Sequence, residues 1–128
     1  MGAWGIHFDE NDGSLDFLGD VEESRDWNEV AHRVTDYAAD GGYDDAEEAV
    51  AALELVAAAL GSPSDRLKPE LDRWASQYAG EAVKLRAQAL VAVDLVLENS
   101  ELSELWAEAD EGDDWQEVIA DLRTRLTA

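Results

Sequence analysis

From Glu81 to Glu98 the chain carries Val83, Leu85, Ala87, Ala89, Leu90, Val91, Val93, Leu95, Val96 and Leu97, with neither proline nor glycine among them. Wound at about 3.6 residues per turn, these side chains point to nearly every side. A helix that is apolar all round has to be enclosed by other elements. The stretch therefore predicts an all-α fold, a compact array of six or seven helices around a central apolar helix at about 81–98, with an extended N-terminal segment packed on it. Asp94 interrupts its second half and is read as facing solvent, because a buried carboxylate needs a partner or a proton.

The rest of the chain supplies the surrounding helices. Asn11-Asp12-Gly13-Ser14 is a turn followed by Leu15, Phe17, Leu18 and Val21, so Asn11 or Asp12 caps a first helix. Asp26 caps a second, with Trp27, Val30, Ala31, Val34, Tyr37 and Ala38 at spacings of three and four. Gly41-Gly42 ends it. Asp44 or Asp45 caps an alanine-rich third helix whose stripe is Ala46, Ala49, Val50, Leu53, Val56, Ala57 and Leu60, and Gly61-Ser62-Pro63 stops it. A fourth runs from about Lys68 to Tyr78, with Pro69 in its first turn. Gly80 predicts a break or bend before the long apolar stretch. Asn99-Ser100-Glu101 opens a sixth helix, and Trp115, Val118, Ile119, Leu122 and Leu126 form the stripe of a last one. Short loops favour antiparallel neighbours. No segment reads as a strand.

Residues 1–128 read as a single helical domain, long enough to bury a core without staples. There is no cysteine, which excludes disulfides, thiolate metal sites and cysteine nucleophiles and favours a reducing compartment. With no signal peptide and no run able to span a bilayer, the expected location is cytoplasmic. The formal net charge of −22 argues against binding nucleic acid, whose phosphates need Lys and Arg, and against anionic membranes. The acid is uneven. No Lys or Arg occurs from Thr35 to Ser64 or from Ala87 to Leu122, whereas residues 65–86 hold Arg66, Lys68, Arg73, Lys84 and Arg86.

No stretch carries a catalytic or cofactor signature. Asp9-Glu10-Asn11-Asp12-Gly13 fits no register of a calcium loop, since one places Phe8 at a ligand position and the other Ser14 at the obligate glycine. Asp12, Asp16 and Asp20 share one helix face and repel, which open solvent, a cation or a basic partner would relieve. His32 lies off its helix stripe, and His7 has no nucleophile pattern beside it. The expectation is no catalytic residue, no metal and no cofactor. Of the five tryptophans, Trp27, Trp74, Trp106 and Trp115 fall on helix stripes and read as core. Trp4 belongs to no stripe, and would either plug the bundle or face a ligand.

The opening residues form a pattern of their own: Gly2-Ala3-Trp4-Gly5, then Phe8-Asp9, Asn11-Asp12 and Asp16-Phe17. This resembles the start of the bacterial proteins grouped as domain of unknown function 4259, which begin Met-Gly-Ala-Trp-Gly and continue with Phe-Asp/Glu-Asn-Asp and an Asp-Trp or Asp-Phe pair. Leu53 to Gly61 resembles the family's alanine-rich third segment, and Ser100 to Trp106 and Trp115 to Leu126 resemble its ending. Glu10, between Asp9 and Asn11, and His7, in place of a small residue, depart from the pattern. The resemblance implies a helical fold over nearly the whole chain and brings no activity or catalytic residues with it. It marks Trp4, Gly5, Phe8, Asn11, Asp12, Asp16 and Phe17 as the candidate family-motif surface.

Two functional readings follow. The first is a non-enzymatic cytoplasmic interaction module that offers an acidic face to a basic protein partner, of the immunity or nucleic-acid-mimic kind. The second is a small enzyme or ligand-binding protein with a pocket beneath the N-terminal segment, lined by Trp4, His7, Asn11, Asp12 and Asp16. A third, without a site, is a domain specialised only for high salt.

Overall fold

Asn11 starts the first helix. Its Oδ1 accepts the Ser14 N–H at 2.7 Å, satisfying one donor that the first turn leaves free. The computed structural model describes residues 5–128; Trp4 lies outside the described residues. Helix α1 (Asp12–Ser24) is followed by α2 (Trp27–Asp40), where Asp26 Oδ1 accepts the Asn28 N–H at 3.0 Å. Gly41 closes α2 in the left-handed conformation, φ 82°. Helix α3 (Ala46–Ala59) departs from expectation at its cap. Asp45 precedes it but is itself left-handed, φ 64°, and its side chain makes no capping bond. An N-cap carboxylate reaches the first-turn N–H groups from extended backbone, and Asp45 does not have it.

Helix α4 (Pro69–Ala75) tightens into a 3-10 turn at Ser76–Tyr78 and runs directly into α5 (Ala79–Glu98). Gly80 therefore lies inside α5 and breaks nothing; the backbone leaves helical geometry just before α5, at Tyr78, φ −111° and ψ 28°. Helix α6 (Glu101–Ala107) opens on a reciprocal cap, with Ser103 N–H donating to Ser100 Oγ at 3.0 Å and Ser100 N–H to Ser103 Oγ at 2.9 Å. Helix α7 (Gly112–Thr127) closes the chain. No strand occurs among the described residues, and the fold is all-α.

The enclosed helix is α3, not α5. Twelve of the fourteen residues of α3 are buried, and α1, α2, α4, α5, α6 and α7 all pack against it. Its alanines explain this, because small side chains let helices close in from every side. Helix α5 buries one face only, through Ala82, Leu85, Ala89, Ala92, Val93 and Val96. Val83 and Val91 remain 56% and 49% exposed. Apolar residues on all sides permit burial; which helix is enclosed depends on how closely its neighbours can approach.

The N-terminal segment also packs elsewhere than expected. Phe8, 5% exposed, shares a small internal cavity with Val50, Leu102, Trp115 and Ile119, so the segment crosses α3, α6 and α7 rather than α5. At the far side Trp27 stacks on Tyr78, centroids 5.0 Å apart, and Trp74 tilts against both, which fastens α2 to the α4–α5 corner.

Candidate functional site: an acidic groove beneath the N-terminal segment

Glu54 sits in the middle of α3 and is 2% exposed. It is ion-paired. Arg125, from the last turns of α7, donates Nη1–H to Glu54 Oε1 at 2.9 Å and Nη2–H to Oε2 at 3.2 Å. The same guanidinium donates Nε–H to Asp121 Oδ2 at 2.8 Å. Burial pushes the Glu54 carboxyl above the ordinary carboxylate range, with Arg125 pulling the other way. Burial also works against the Arg125 charge, but Glu54 and Asp121 hold it above its usual value. Two parallel bonds at these lengths are the geometry of an ionised pair.

Beside this pair lies a groove of about 680 Å³. Glu54 forms its floor. Ile6, His7 and Phe8 make one wall, Pro63, Ser64, Asp65 and Arg66 a second, and Asp114, Glu117, Val118, Asp121 and Arg125 a third. The first two walls are joined, since Arg66 donates Nε–H to Asp9 Oδ1 at 2.7 Å and its Nη2 lies 3.8 Å from Glu10 Oε1. The bond to Asp9 holds the Arg66 guanidinium above its ordinary value. Glu10 also accepts the His7 N–H at 3.2 Å, which shapes the wall locally.

Both cations of the groove are thus already paired. Asp65, Asp114 and Glu117 are exposed and take part in no ion pair among the described residues. The groove is left with unopposed negative charge on its rim.

The motif residues divide between interior and surface. Phe8, Asn11 and Phe17 are buried, and the Arg33 guanidinium lies 5.8 Å over the Phe17 ring. Gly5 lies against the Glu10 carboxylate. Asp12 and Asp16 are exposed on α1, as is Asp20, and none of the three lines the groove. Of the residues expected to line a pocket, His7 does so, and Asn11 reaches only the small adjoining cavity. The turn after Asn11 is a docking piece. Gly13 N–H donates to Glu47 Oε1 at 3.2 Å and Ser14 Oγ–H to the Glu47 carbonyl at 2.7 Å. A Cβ on Gly13 would stand 3.0 Å from that of Glu47, so a side chain there would push the turn off α3.

Glu54 and Arg125 were not visible as a pair in the sequence. The one signal was a lone acid inside the apolar run Ala49–Leu60; nothing in the spacing names a partner 71 positions away. Among the described residues no group of three or more His, Asp or Glu side chains is placed to hold a metal ion.

Fold and groove define a small all-α domain with one alanine-rich helix enclosed and an acidic cleft at its N-terminal edge. The chain belongs to the family described as Domain of unknown function (DUF4259), whose model matches residues 2–118. Arg125 lies beyond the matched residues. No curated protein and no solved structure shows a significant match.

Proposed function

We propose that this protein is a non-enzymatic, cytoplasmic interaction module that binds a basic protein partner through the groove beneath its N-terminal segment. The observation that supports this reading is the charge on the groove rim. Arg66 and Arg125 are consumed by internal pairs, while Asp65, Asp114 and Glu117 are not. A lysine or arginine of a partner supplies the missing charge, and the formal −22 of the whole chain steers it there. Immunity-type binding to a basic toxin and mimicry of a nucleic acid are two forms of the same electrostatics. No helix among the described residues is long and apolar enough to cross a membrane.

The groove volume favours one alternative, a small-molecule site. Such sites fall at roughly 300–1,000 Å³ and are lined mostly by apolar surface; this groove has such surface in Ile6, Phe8, Pro63 and Val118, but its rim carries Asp65, Asp114 and Glu117. The ligand on that reading is a small cation.

Charge reversal tests the proposal. Asp114→Lys with Glu117→Lys changes two exposed side chains and leaves the core alone. The wild-type chain is expected to retain a basic partner from its native host at physiological salt and to release it as salt rises; the double variant is expected to lose it. Equal retention by both chains, or no partner at any salt, overturns the proposal. Binding of a free amine as tight as that of a basic peptide transfers the case to the small-cation reading.

A further inference from the structure

The outer face of α5 is the largest departure of this fold from its own hydropathy pattern. Val83, Ala87 and Val91 succeed one another at four-residue spacing and are all exposed, and Leu90 beside them is half-buried. Among the described residues no other element covers this face, and no residue of α5 lines the groove.

Charge says what fits there. In a chain of net charge −22, residues 87–93 carry no charge at all. The face is flanked by Lys84 on the N-terminal side and by Asp94 and Glu98 on the C-terminal side. Lys84 is exposed and in no ion pair among the described residues. A face that is basic at one end, apolar in the middle and acidic at the other is complementary to itself when reversed. We propose that two copies of this chain pair antiparallel through the outer face of α5. A two-fold axis level with residue 89 sets Ala87 against Val91 of the second copy and Lys84 against its Asp94. Asp94 already accepts from Arg123, Nε–H to Oδ1 at 2.7 Å and Nη2–H to Oδ2 at 3.5 Å, so Lys84 of the second copy joins an existing exposed pair. A parallel pair would oppose Lys84 to Lys84 and Asp94 to Asp94. An isologous contact of this kind closes on itself and stops at two copies.

One helix of 20 residues spans about 30 Å, a modest contact. Association is therefore expected at a Kd between about 1 µM and 1 mM. It should tighten as salt rises, because screening weakens the repulsion between two chains of −22 more than it weakens an apolar seam. Sedimentation equilibrium tests this. The wild-type mass is expected to rise from one chain to two with concentration, and Val91→Glu is expected to weaken association at least about tenfold while leaving the helical circular dichroism unchanged. Orientation has its own readout, since the chain has no cysteine. An equimolar mixture of Ala87→Cys and Val91→Cys chains is expected to cross-link on mild oxidation faster than either variant alone. A single-chain mass up to about 1 mM, a dimer indifferent to Val91→Glu, or faster cross-linking of the separate variants overturns the proposal.

Discussion

Among the described residues Arg125 is the one cation paired with a buried carboxylate. It lies in the last turns of α7, where a cation suits the helix dipole, and the sequence suggests no more than that. In the fold its side chain is 16% exposed and neutralises Glu54, which is 2% exposed. Removing one partner of a buried pair strands the other charge, at a cost of about 3–5 kcal/mol, whereas replacing both by apolar groups is often neutral. Arg125→Ala is therefore expected to destabilise the chain by about that amount. Glu54→Leu combined with Arg125→Leu is expected to recover most of it, as measured by urea unfolding. Equal losses in the single and double variants would show that the pair is not the source. Asp12, Asp16 and Asp20 are the contrast. They dominate the N-terminal motif to the eye, yet each is exposed and none forms an ion pair among the described residues.

At the scale of elements, helix identity was legible and helix environment was not. The stripes of α2 and α7 read directly from spacing: Trp27, Val30, Val34 and Tyr37 are buried in one, Trp115, Ile119, Leu122 and Leu126 in the other. Between α3 and α5 the hydropathy pattern pointed to the wrong helix. Both are apolar on most sides, and periodicity has no term for side-chain size. Alanines on α3 let neighbours approach until nothing of Ala51, Ala52 or Ala57 is exposed. Added volume separates the two cases. Ala52→Leu is expected to destabilise by about 1–3 kcal/mol, because a packed interior has no room for it. Gln88→Leu on the exposed side of α5 is expected to stay within about 0.5 kcal/mol. Similar unfolding midpoints for the two variants would argue against α3 as the enclosed helix.

For the whole molecule, acid is the controlling quantity. Burial raises the carboxyls of Glu47 and Glu101 above their usual 4.5, and neighbouring acids add to the effect at both. The folded chain thus holds these protons more tightly than the unfolded one. The stability linked to them is fully present below 4.5 and is lost as pH rises through the folded values. The melting temperature is expected to fall between about pH 5 and neutrality, and calorimetry across that range checks it. At neutral pH added salt is expected to restore part of the loss by screening the −22 charge. A curve flat in both pH and salt would mean that this charge does not bear on folding.

The sequence by itself determined the class of fold, the helices with the caps of α1, α2 and α6, the acidity, and the family pattern of the first seventeen residues. These follow from interactions within a few positions of one another: apolar spacing, Asn11 and Asp26 as caps, Gly41 as a stop. Only the tertiary structure decided that α3 is enclosed, that Phe8 crosses α6 and α7, that Glu54 meets Arg125, and that a groove opens between Ile6, Arg66 and Glu117. Each of these joins residues far apart in the chain, through side-chain volume and the pairing of buried charge. Neither has a period that a one-dimensional pattern can carry.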